Sequence, residues 1–128
     1  MATIPFDDRD GFIWFDGKMV PWREAKVHFL THALHYGSGV FEGIRAYGGH
    51  IFKLLEHSQR LLEGCKIMDI KPPFPLEDIK RACEESVRIN KINDGYIAND
   101  IFDLAGDDFH ARDVDHFRLT TLQVDTSQ

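Results

Sequence analysis

The chain has 128 residues, 43% hydrophobic and 12% aromatic, a globular composition that excludes a disordered chain. A formal net charge of −6 leaves no basic surplus to neutralise phosphates, so nucleic acid is not an expected partner. No apolar run approaches the ~18 residues that a membrane span needs, so no membrane association is expected.

The charge is uneven: residues 1–97 carry a net −1, residues 98–128 a net −5. Met1 to Gly11 is polar and Asp-rich, and reads as a flexible arm. "FIWFDGKMV", Phe12 to Val20, is a hairpin around Asp16-Gly17, because Asp-Gly supplies both positive-φ positions of a type I′ turn. "THALHY" forms a helical turn or short helix. "GVFEGIRAY" alternates as a strand, with Val40, Glu42, Ile44 and Ala46 on one face and Phe41, Gly43, Arg45 and Tyr47 on the other. Gly48-Gly49 turns the chain and "HIFKL" returns as its partner strand. A helix follows over about 55–68, with Leu55, Leu61, Leu62, Cys65 and Met68 as its apolar side. "KPPFP" breaks it. A second helix spans about 76–90, with acidic residues in its first turn and Arg88 near its last. "DGYIANDIF" is a further strand, and "HFRLTTLQV" alternates enough for one edge strand within an otherwise less ordered acidic tail.

Hairpin, helical turn, strand pair, two helices and strand make an α+β fold, an antiparallel-rich sheet with two helices packed on it. "GSGVFEG" is not a phosphate loop, since no lysine follows and a strand, not a helix, comes next. His28, His32 and His35 share a helical spacing, but no carboxylate or cysteine motif joins them and no metal is expected. Cys65 and Cys83 lie among helix-patterned residues without metal-type spacing, and read as buried structural thiols. A soluble, cytoplasmic setting is expected.

The stretch from Leu30 to Phe52 is where large rings stand beside glycines. On one face of its strand, Gly43 lies between Phe41, Arg45 and Tyr47; a missing Cβ there lets another molecule approach the backbone. Alternating aromatics also suit a core, and strand glycines often mark bulges, so pattern alone leaves both readings open.

"IWFDGKMVPWREAKVHFLTHALHYGSGVFEGIRAY", with "LLEHSQRLLEGCKIM" and "DGYI", resembles the start of the branched-chain amino acid aminotransferases, fold-type IV pyridoxal-phosphate enzymes. The resemblance runs over 12–97 and implies their N-terminal small domain, with 1–11 as an arm and 98–128 as an acidic tail unlike the family. It implies that Arg60 binds the cofactor phosphate, and that Tyr36 and Phe41 line the pocket for a branched side chain, Tyr36 across a dimer interface. Gly43 matches the place where backbone approaches substrate, and Tyr96 a tyrosine whose hydroxyl orients the substrate carboxylate. Glu42 and Arg45 belong to the same motif and are expected as a structural pair.

Two departures stand out. Where the family continues with an arginine, this chain has Ala98-Asn99-Asp100. The family's reaction also needs a lysine, and none of Lys18, Lys26, Lys53, Lys66, Lys71, Lys80 and Lys91 matches it. The implied full enzyme would move the amino group of Leu, Ile or Val to 2-oxoglutarate. The chain alone is expected to be a catalytically silent, truncated domain with no catalytic residue of its own and at most weak cofactor binding. The alternative is a non-catalytic dimerisation or binding module. Either way, the apolar surface around Phe41, Tyr47 and Tyr96 makes a homo-oligomer the expectation.

Overall fold

In the computed structural model, residues 4–103 and 117–125 are described. The chain runs β1 (Phe12–Phe15), β2 (Lys18–Pro21), a 3-10 turn (Trp22–Glu24) and α1 (His32–Tyr36). It continues through β3 (Gly39–Tyr47), β4 (His50–Ile51), α2 (Leu54–Ile67), α3 (Leu76–Ile89), β5 (Gly95–Asp103) and β6 (Phe117–Asp125). The strands form one antiparallel sheet in the order β2-β1-β6-β5-β3-β4. The α+β fold expected from the pattern is what the chain adopts.

Local chemistry explains the turns. Asp16 (φ 50°) and Gly17 (φ 99°) take the two central positions between β1 and β2, with Phe15 opposite Lys18. Gly48 (φ 56°) and Gly49 (φ 77°) do the same between β3 and β4. β4 is only two residues long, shorter than "HIFKL" suggested, because α2 begins at Leu54. Both long helices close with a left-handed residue that is not glycine, Asp69 after α2 and Lys91 after α3. The next N–H in each case reaches back into the last turn, Ile70 to the Cys65 carbonyl and Ile92 to that of Val87. Burial of Ile70 and Ile92 against the core accompanies these bonds, the apolar contact typical of such a helix end.

The core lies between the sheet and the two helices. One cluster joins Trp14 and Ile101 to Leu61 and Cys65 of α2 and to Ile79 and Ala82 of α3. A second joins Ile44, Ala46 and Ile97 to Cys83, Val87 and Ile92. The buried side of α2 differs from expectation: Leu55 and Met68 are exposed, and Ser58 is buried with Leu61 and Cys65. These positions and Leu54 fall at i, i+4, i+7 and i+11, which is the stripe facing the sheet once the helix starts at Leu54. Burial pushes both thiols up to about 11, so Cys65 and Cys83 are packing groups and not nucleophiles at neutral pH.

On the C-terminal side the strand pairing bears on two sequence expectations. The limit drawn at 97/98 falls inside β5, whose pairing with β3 runs unbroken from Gly95 to Phe102. β6 is not an edge strand but sits between β1 and β5, because β5 offers it nine residues of ladder and β1 closes its other side. Whether the rest of the tail is less ordered concerns residues outside those described. At the other end, residues 6–10 are tied to the 3-10 turn. Trp22 Nε1 donates to the Phe6 carbonyl at 2.6 Å, and Arg23 pairs with Asp8 and Asp10.

Candidate functional site

β3 shows the alternation its sequence predicts. Glu42, Ile44 and Ala46 are buried on the helix side, while Phe41 is 60% exposed on the opposite face with Gly43, Arg45 and Tyr47. On β5, Tyr96 lies opposite Arg45 and Ala98 opposite Gly43. The Tyr96 ring leans across Gly43 so closely that a Cβ there would sit 2.8 Å from its Cζ and 2.9 Å from Cε2. A side chain at 43 would therefore force the Tyr96 ring and hydroxyl to shift, independently of any turn. Asp100 shares this face opposite Phe41, and desolvation raises its pKa.

Glu42 breaks the apolar run on the buried face, and its carboxylate is only 4% exposed. A buried carboxylate needs donors, and this one has four. Oε2 accepts from Arg60 Nε at 2.6 Å. Oε1 accepts from Arg60 Nη2 at 2.6 Å, from His57 Nδ1 at 3.1 Å and from the Gly43 N–H at 3.1 Å. The carboxylate can only accept when ionised, so His57 carries its proton on Nδ1. The Arg60 hydrogen bonds pull the Glu42 pKa below the usual carboxylate range, with help from His57 and against the opposing effect of burial.

His57 and Arg60 come from one side of α2, three residues apart, and so reach the same point of β3. The Gly43 N–H is available to Glu42 because β4 pairs only with Ala46 and Tyr47 and leaves that edge of β3 open. The expected Glu42–Arg45 pair does not form, since residues three apart on a strand face opposite ways. Arg45 instead lies over the Tyr47 ring.

Tyr36 is held separately, at the end of α1. Gly37 (φ 64°) closes that helix in the left-handed conformation, its N–H donating to the Ala33 carbonyl. The Tyr36 ring packs on His32, 4.5 Å between centroids, and is 56% exposed. His32 is anchored below, its Nδ1 2.6 Å from Ser38 Oγ and 3.3 Å from buried Asp103 Oδ2. Thus Gly43, Tyr96 and Phe41 share the open face of β3, Arg60 reaches the strand from α2 on the opposite side through Glu42, and Tyr36 projects from its own helix. Sequence reasoning missed the partnership of Glu42 with Arg60 and His57. The available signal was a lone carboxylate on an otherwise apolar strand face.

Comparison with known proteins places these residues in context. The amino-transferase class IV family matches residues 39–114, which includes β3, α2, α3 and β5 and continues past 97. The branched-chain-amino-acid aminotransferase of Pseudomonas aeruginosa is 46% identical over 99 residues, covering 74% of this chain and 32% of that protein. In three dimensions, the crystal structure of the Escherichia coli branched-chain amino acid aminotransferase superposes with a TM-score of 0.82 at 34% identity. That match covers 91% of this chain and 41% of the other. The T.th. branched-chain amino acid aminotransferase with pyridoxamine 5′-phosphate gives 0.78 at 35% identity, over 90% and 39%. The chain thus spans about a third of the length of the curated relatives it matches.

Proposed function

The chain belongs to the class IV amino-transferases, and from that premise we propose that it forms the N-terminal part of a branched-chain amino acid aminotransferase using pyridoxal 5′-phosphate. Its substrates would be Leu, Ile or Val and 2-oxo acids, 2-oxoglutarate among them.

The observation that carries this reading is the Arg60 guanidinium held at a fixed place beside Gly43. One oxygen of Glu42 lies within hydrogen-bond distance of both Arg60 Nη2 and the Gly43 N–H. The residues present fit a phosphate-bearing group: the Arg60 side chain is 69% exposed and Glu42 occupies only its Nε and one Nη2 position. A permanently charged planar fork suits a phosphate dianion. When bound, the cofactor supplies the electron sink through which amino and keto groups exchange. Arg60 holds the phosphate, and Tyr96 offers its hydroxyl to the substrate carboxylate. Gly43, lacking a Cβ, makes the room in which the Tyr96 ring crosses β3, while Phe41 and Tyr36 shield a branched apolar side chain from water. At the position where the family pattern has an arginine, Ala98 provides no charge, so Tyr96 is the carboxylate contact this strand contributes.

Pyridoxamine 5′-phosphate tests the phosphate assignment cleanly, because its amine does not condense with surface lysines. In equilibrium dialysis the chain should retain it in preference to pyridoxamine, and Arg60→Gln should weaken retention by about tenfold or more. Equal retention of the two compounds, or an Arg60→Gln variant as good as the parent, would overturn the assignment.

A further inference from the structure

We propose that Glu42 is a positioning residue that dictates how Arg60 meets a phosphomonoester, leaving it one mode of contact only; this rests on the phosphate reading of Arg60 above. A guanidinium has a side-on edge, Nε with one Nη, and an end-on edge formed by the two Nη groups. Each edge can take a two-pronged acceptor. Glu42 occupies the side-on edge, with both bonds at 2.6 Å. What remains is the end-on edge: Nη1, which has no partner among the described residues, and the second hydrogen of Nη2.

The carboxylate itself is well fixed. It is buried, its strand is in the sheet, and Gly43 and His57 supply two further donors to Oε1. Arg60, by contrast, lies on the exposed side of α2 and carries the rotamer freedom of a long side chain. Pinning it before the anion arrives removes that freedom in advance, which is how preorganisation raises affinity. An opposing effect exists, because Glu42 also cancels the charge of Arg60 and repels a dianion. The two effects have opposite signs in a binding measurement. If orientation dominates, removing the carboxylate weakens phosphate binding; if neutralisation dominates, it strengthens it. The bidentate geometry and the exposure of Arg60, where water screens the repulsion, favour orientation.

The experiment titrates the 15N-labelled chain with pyridoxamine 5′-phosphate and with inorganic phosphate, following the Arg60 side-chain resonances. In the parent chain, Arg60 Nε–H should be protected from exchange and should barely move, while the Nη signals shift. Glu42→Gln keeps the shape but puts an amide N–H₂ among donors, and should lower affinity for both anions by about tenfold and expose Nε–H to exchange. Equal response to both anions identifies phosphate itself as the recognised group; a response to the cofactor form alone places the contact on the whole molecule and overturns end-on phosphate capture. Glu42→Gln binding as tightly as the parent, or tighter, overturns the positioning role while leaving Arg60 as the phosphate residue if Arg60→Gln abolishes binding. An Arg60→Gln variant that binds like the parent removes the phosphate reading and this inference with it, as does a parent chain whose Arg60 signals ignore both anions. Should Glu42→Gln lose its fold by circular dichroism, the parent spectrum decides. An Nε shift as large as the Nη shifts then overturns the end-on mode, and an Nη-only shift upholds it.

Discussion

Ile101→Ala should cost the fold about 2–5 kcal/mol, the range for truncating a fully buried isoleucine. Ile101 is completely buried, packed with Trp14, Leu61, Cys65, Ile70, Ile79 and Ala82, and paired in register with Val40. It draws β1, α2 and α3 onto one point, so the cavity left behind is lined from several elements and cannot collapse easily. Domain stabilities are about 5–15 kcal/mol, so this one truncation removes a large share. Urea unfolding of the parent and the variant reads the loss directly. Phe41→Ala, on the exposed face of β3, is the control and should move the midpoint far less. An unchanged midpoint for Ile101→Ala would mean that the acidic half of β5 lies outside the cooperative fold.

Gly43→Ala should also destabilise, by about 1–3 kcal/mol, against the usual trend. In a strand, alanine normally gains about 0.5–1 kcal/mol over glycine through reduced chain entropy. Here the new methyl would fall 2.8–2.9 Å from carbons of the Tyr96 ring, well inside contact distance. Tyr96 must swing away, and with it the hydroxyl proposed to meet the substrate carboxylate. A double-mutant cycle separates the causes: in a Tyr96→Ala background the penalty at 43 should vanish or reverse. A Gly43→Ala penalty that persists without the tyrosine ring would place its origin in the backbone.

Most of the architecture was legible because its signals are local. Asp16-Gly17 and Gly48-Gly49 state their turns outright, and the alternation of β3 gave both of its faces correctly. What escaped is what depends on distant partners. Leu55 and Met68 look like core residues by type, yet the orientation of α2 against the sheet buries Ser58 in their place. The central position of β6 is set by β1, about a hundred residues earlier in the chain, and no local pattern reports such pairing. Helix ends at Asp69 and Lys91 lacked the glycine that would have marked them. At the site, glycine 43 between large residues was a fair signal, and its real constraint proved to be the tyrosine from the neighbouring strand. The phosphate role proposed for Arg60 came only through resemblance, since on its own it reads as a solvated helix residue. Its fixed direction comes from Glu42, eighteen positions away.

The most direct test of the central claim is a transfer assay on a chimera. The segment of this chain that matches the Pseudomonas aeruginosa branched-chain-amino-acid aminotransferase replaces its counterpart in that protein. Amino transfer from leucine, isoleucine and valine to 2-oxoglutarate is then measured with added pyridoxal 5′-phosphate. The account predicts transfer well above background from the chimera, its loss on Arg60→Gln, and none from the 128-residue chain alone. A folded chimera inert towards all three amino acids, or measurable transfer by the chain on its own, would contradict it.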